Sequence, residues 1–277
     1  MRSRDVEYRV APDTKMRRWL AAAFQSVRHR PMIHGLVEVD VTAARTRLAE
    51  HRASTGESLS FTAFVVGCLA AAIDENKAVQ AFRQGSRHLV VFEDVDVYVM
   101  IECEIAGERA PIPYIVRSAN RKTVLEIHHE IRTAQVQDVE RATRWLQVLP
   151  AFSFRPLLAA FCWIGRRRPQ VWKRFVGTVG VTAVGMFGEG AGWGIPPAVP
   201  TLMLTVGGID AKPVVRDGRV AVRDCLSLTI TFDHDLVDGA PAARFAERLK
   251  ELIESGHGLP GGQPADPAVA GSGGPRR

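Results

Sequence analysis

Along "SLSFTAFVVGCLAAAIDEN" the apolar residues Phe61, Phe64, Val65, Cys68, Leu69, Ala72 and Ile73 recur every three or four positions. That spacing predicts one buried face of a helix, with Ser58 or Ser60 placed to cap its start. The period then changes. In "VFEDVDVYVMIECEI" Val95, Val97, Val99, Ile101, Cys103 and Ile105 alternate with Asp94, Asp96, Tyr98, Met100, Glu102 and Glu104, which predicts a long strand with one face buried. Gly107 marks a turn, "APIPYIVR" a further extended segment, and Val124, Leu125, Ile127 and Ile131 in "KTVLEIHHEIRTA" a return to helix. Near the C-terminus Leu226, Leu228, Ile230 and Phe232 alternate with Ser227, Thr229 and Thr231. Phe245, Leu249, Leu252 and Ile253 then share a helical face that opens behind Pro241 and ends at Gly256. No stretch repeats another.

The turn between that last strand and helix carries the chemistry worth weighing. His234 sits at or just beyond the strand end between Asp233 and Asp235, and Asp238 stands immediately before Gly239. Imidazole exchanges a proton near neutral pH, and a carboxylate at position 238 is placed to cap the helix, bind a backbone donor or pair with an arginine. On its own, a histidine in a turn, H-x-x-x-D-G included, is more often structural or solvated than a general base.

Composition narrows the class. With 277 residues and 46% hydrophobic content the chain can bury a substantial core. Charges run throughout "MRSRDVEYRVAPDTKMRRWL", which excludes a cleavable secretory signal there, so the expected compartment is the cytoplasm. Cys68, Cys103, Cys162 and Cys225 lie far apart within apolar runs, which favours small core residues over a metal or redox motif. The net charge of +6 comes from dispersed basic residues with no nucleic-acid-binding pattern, and suits an anionic small ligand or an acidic partner. Residues 145–175, "WLQVLPAFSFRPLLAAFCWIGRRRPQVWKRF", are the most unusual stretch, aromatic and closed by basic residues. The apolar run within it is too short to span a bilayer, which takes roughly 20 residues. A helical hairpin packed on the body is one reading, and a surface that docks on a membrane or partner is the other. The expected domain is 1–257, with a hydrophobic helical insertion at about 143–176, followed by a disordered Gly- and Pro-rich tail at 258–277.

The C-terminal stretch resembles the signature of dihydrolipoyl acyltransferases, D-H-x-x-x-D-G-A-x-x-A-x-F, through Asp233, His234, Asp238, Gly239, Ala240, Ala243 and Phe245. "GLVEVDVTAARTRLAE", "SLSFTAFVVGCLAAAI", "RSANRKTVLEIHHEI" and "GTVGVTAVGMFG" resemble successive blocks of the same catalytic domain in the same order. The resemblance implies an α/β chloramphenicol acetyltransferase-like two-layer sandwich, a mixed β-sheet with helices packed on it. It also implies a homotrimer or a multiple of trimers, with each active site between subunits. Coenzyme A enters as acyl-CoA substrate, and no metal is implied. His234 is then the general base toward a thiol, Thr182 the hydroxyl donor to the tetrahedral oxyanion, and Asp238 the residue holding the histidine loop in shape.

Two departures stand out. Asp235 follows the histidine where an arginine is common, and Ala183 follows Thr182 where an asparagine is common. No lipoyl domain is expected ahead of the catalytic blocks, so a lipoyl group would come from another chain. The expected function is CoA-dependent acyl transfer to a dihydrolipoyl-type thiol or other acceptor. The alternative is a catalytically weak trimeric scaffold that binds partners through 145–175.

Overall fold

The structure is a computed structural model and describes residues 29–105, 108–148, 163–165, 167–184, 190–216 and 218–261, with 21, 24 and 25. Six strands form one mixed sheet: β1 (Met32–Asp40), β4 (Val97–Ile105), β5 (Glu108–Val116), β6 (Val179–Ala183), β7 (Leu202–Arg216) and β8 (Arg219–Asp233). Their order is β1-β8-β7-β6-β4-β5, with β6 parallel to both β4 and β7 and the other pairs antiparallel. A short hairpin, β2 (Phe82–Gln84) with β3 (His88–Val90), stands apart. The helices are α1 (Thr42–Thr55), α2 (Phe61–Glu75), α3 (Val124–Val148), α4 (Pro169–Val176) and α5 (Gly239–Glu254).

The register explains the core. Val37, Leu228 and Val206 share one rung, as do Ile230, Leu204 and Val181, and Phe232, Leu202, Val179 and Val97 share a third. This apolar face packs with Phe64, Leu69 and Ile73 of α2, Ile127 and Ile131 of α3, and Phe245, Leu249 and Ile253 of α5 in one continuous buried cluster. Local signals fix where two of these helices start. Ser60 caps α2 by accepting the Ala63 N–H at 3.3 Å. At α3, Glu126 accepts the Thr123 N–H (2.7 Å) while Thr123 Oγ1 accepts the Glu126 N–H (3.2 Å), a reciprocal capping box.

Three readings change in the structure. The polar face of β8 is not solvated, because Ser227, Thr229 and Thr231 are as buried as the leucines between them. The segment 190–200 crosses this second face of the sheet, and Ser227 Oγ accepts the Gly192 N–H (3.3 Å). Asp96, expected on the open face of its strand, is likewise buried. Its carboxylate meets Arg117 Nη1 at 2.8 Å, Lys173 Nζ at 3.7 Å and the Ser118 N–H at 2.9 Å, so it ties the end of α4 to β4 and β5. Leu125 is exposed, and Ala134 joins Val124, Ile127 and Ile131 on the buried face of α3.

Cys68 and Cys225 are buried free thiols. Cys162 lies outside the described residues, as do residues 149–162 of the aromatic segment and 262–277 of the expected tail. Leu259, assigned to that tail, is buried against the core.

Candidate active site

Strand β8 delivers the histidine. Residues 226–232 are locked on both sides by β1 and β7, so the chain leaves the sheet at a fixed point after Asp233, and His234 to Leu236 form the turn before α5. The His234 N–H donates to Pro31 O (2.7 Å), and Leu236 and Val237 each donate to Asp233 O at 3.0 Å. Val237 is buried in the core, while the His234 side chain is 44% exposed. A pinned backbone with an open ring is the arrangement that proton transfer to an outside group requires.

Asp233 and Asp238 divide their labour differently from the expectation. The period-two pattern of β8 turns Asp233 inward with the threonine row. There its Oδ1 accepts the Asp235 N–H (3.1 Å) and its Oδ2 lies 3.6 Å from Arg30 Nη1. Arg30 also donates to Val199 O (2.9 Å), and Arg83 of β2 donates to Asp235 O (2.7 Å), so the loop is clamped from two directions. Asp238 occupies the N-cap position of α5 but its carboxylate makes no capping bond. It stands exposed with Oδ1 3.8 Å from His234 Nδ1, a charge contact rather than a hydrogen bond.

Thr182 is half-buried in β6, and one chain does not bring it to His234. It pairs across the sheet with Thr205, which pairs with Thr229. His234 lies five strand positions beyond Thr229, about 17 Å along the strand, with two strand spacings of about 4.8 Å to cross besides. The Thr205 and Thr229 hydroxyls are buried without a hydrogen-bond partner, so a polar row runs inward from Thr182 on the face opposite the helices. His34 Nδ1 meets Thr231 Oγ1 on that same face (2.9 Å).

Of these residues, Asp233 was open to sequence reasoning, because it continues the 227, 229, 231 alternation. Arg30 and Arg83 were not, since neither belongs to a periodic segment.

A second grouping looks like a metal site at first. Glu57 Oε1 lies 3.5 Å from both His128 Nε2 and His129 Nδ1. However, His128 Nδ1 accepts the Ser60 N–H (3.0 Å), which assigns the ring proton to Nε2. A neutral imidazole has one lone pair, so His128 serves α2 and has none to offer an ion.

Comparison with known proteins fits this geometry. A crystal structure of a probable dihydrolipoamide acetyltransferase from Listeria monocytogenes superposes with a TM-score of 0.69 at 21% identity, covering 89% of this chain and 94% of that one. That of the Azotobacter vinelandii dihydrolipoamide acetyltransferase gives 0.67 at 18% identity, covering 90% and 92%. The architecture is therefore that of acyltransferase catalytic cores. The family of 2-oxoacid dehydrogenases acyltransferase (catalytic domain) matches residues 6–144 and 175–259, and the chain belongs to it.

Among curated relatives, the lipoamide acyltransferase component of the branched-chain alpha-keto acid dehydrogenase complex of Bacillus subtilis (strain 168) is 26% identical over 252 residues. The match covers 88% of this chain and 52% of that protein, so the chain spans about half the length of this relative. Residues 145–174 fall between the two matched stretches of the family.

Proposed function

We propose that this chain is a CoA-dependent acyltransferase that moves an acyl group between CoA and a thiol of dihydrolipoyl type. The observation that carries the reading is the half-exposed ring of His234 on a backbone clamped by Pro31, Asp233 and Arg83. A free thiol has a pKa near 8.5 and is mostly protonated at neutral pH. Asp238 lies on the Nδ1 side of the ring, 3.8 Å away, and Nε2 serves as the proton acceptor. Nε2 takes the thiol proton as sulfur attacks the thioester carbonyl. The carbonyl oxygen becomes an oxyanion, to which the Thr182 hydroxyl donates, a contribution of about 3 kcal/mol for one such donor. Collapse breaks the original carbon–sulfur bond, and the imidazolium returns its proton to the departing thiolate.

Because Thr182 and His234 are remote within one chain, the site is read as forming between neighbouring subunits of a homotrimer or a multiple of trimers. In the Azotobacter enzyme a serine, a histidine and an asparagine were studied for roles in the catalytic mechanism. Their separations along that chain equal those of Thr182, His234 and Asp238 here, which supports the assignment. The lipoyl group is supplied by another chain or domain, and the compartment is cytoplasmic. Among the described residues no helix is long and apolar enough to cross a membrane. We place the catalytic domain at residues 1–259, two residues beyond the expected end because Leu259 is buried in the core, with an insertion at about 143–176.

The test is acyl transfer from acetyl-CoA to dihydrolipoamide. His234→Ala is expected to lower kcat by about a thousandfold, within the range for loss of a general base. Retention of wild-type turnover by that variant would remove the reading.

A further inference from the structure

The chain departs from its family at residues 145–174, between the two matched stretches. That interval holds six arginines and lysines and no aspartate or glutamate. Its described part is the end of α3 up to Val148, a helical turn in which the Arg168 N–H donates to Ile164 O (2.7 Å), and then α4.

One side of this unit is committed to the body of the protein. Trp172 is buried and packs on Gly165, where an added Cβ would lie 2.5 Å from the indole. Gln84 donates to Arg167 O (3.3 Å), and Arg117 donates to the carbonyls of Lys173 and Arg174 at the end of α4. The helical turn carries Trp163 and Ile164, 56% and 39% exposed, with exposed Arg167 and Arg168 on the same turn. The Arg167 guanidinium stacks 4.2 Å over the Trp163 ring, which joins the cationic and apolar elements in one surface.

We propose that this face docks on an anionic phospholipid surface. Exposed Trp and Ile beside arginines, with no acidic residue along the segment, match what the headgroup boundary takes: apolar rings into the acyl region and cations among phosphates. Self-pairing of the face across a two-fold axis would set these like charges against each other. An acidic protein would answer the cations but leave Trp163 and Ile164 without an apolar bed. The face lies along such a surface, since α4, with eight residues, is too short to cross it. The β2 strand beneath the face also holds the His234 loop through Arg83, so docking would bring the candidate active site close to the lipid.

The experiment is co-sedimentation of the full chain with phosphatidylcholine vesicles prepared with and without phosphatidylglycerol. Binding is expected only to the anionic vesicles, falling as salt rises. Arg167→Glu with Arg168→Glu should weaken partitioning by roughly tenfold or more, and Trp163→Ala with Ile164→Ala should weaken it at unchanged charge. Both pairs are exposed, and an unchanged thermal melt verifies that each variant is folded. Absence of vesicle binding, or equal binding to neutral vesicles, overturns the proposal. So does a vesicle-free oligomer that dissociates when Trp163 and Ile164 are replaced, which would assign the face to a second copy. Retention on polyglutamate beads without vesicle binding would assign it to an acidic protein and overturn it equally. All readouts are independent of acyl transfer.

Discussion

His128 and His234 put the same side chain to opposite uses. Burial holds the His128 pKa below its ordinary value of 6.5, with nearby Arg132 adding to the effect, and the neutral ring accepts the N–H of the α2 cap residue. The folded protein therefore binds that proton less tightly than the unfolded chain. Above about pH 6.5 the ring is neutral in both states and nothing is lost. Below it the unfolded chain protonates first, so stability falls until the pH drops through the lowered folded value. His257, also held low by burial first and Arg248 second, adds to the same acid-side loss. Urea unfolding at neutral and mildly acidic pH should show this slope, and His128→Gln, which keeps an acceptor for Ser60, should flatten it. His234 in contrast has a half-exposed side chain. Thr182→Ala should cost about a hundredfold in kcat with little change in KM, because in the proposed mechanism the hydroxyl acts on charge that appears only in the transition state. Thr182→Ser should restore most of the rate.

At the scale of elements, Asp96 is the hinge pin between the sheet and the segment that falls between the two matched stretches of the family. It is buried at the start of β4 and faces Arg117 and Lys173 together. Removing the carboxylate takes away the acceptor of the Ser118 N–H and of Arg117, so Asp96→Ala should destabilise the protein by about 2 kcal/mol in chemical denaturation. The elements themselves were largely legible. The α2 pattern from Phe61 to Ile73, its Ser60 cap and the α5 face from Phe245 to Ile253 follow from periodicity, because one apolar stripe against a sheet has a single solution. Burial of Thr229 and Thr231 was not legible. Alternation says that two faces differ, and only the segment crossing at 190–200 decides that both are covered.

For the whole molecule the decisive fact is a distance. The rung Thr182–Thr205–Thr229 puts the hydroxyl well below the end of β8, farther than two side chains can bridge within one chain. A site shared between subunits predicts complementation. Mixed oligomers of Thr182→Ala and His234→Ala, each at about a hundredth of wild-type activity or less alone, should regain about a quarter of wild-type activity on random one-to-one assembly, because that share of interfaces pairs an intact histidine with an intact threonine. Sedimentation should give a mass that is a multiple of three chains. Absence of rescue in verified mixed oligomers would return both residues to separate roles.

The sequence by itself determined the period of each element, the position of His234 in a strand-to-helix turn and membership of an acyltransferase family, because these depend on residues close together in the chain or on their order. Tertiary structure alone decided that Arg30 and Arg83 clamp the histidine loop, that the Asp238 carboxylate makes no capping bond at the start of α5, and that Thr182 lies remote from its expected partner. Those outcomes turn on which strands become neighbours and in what register, and pairing between residues far apart in the chain leaves no local trace.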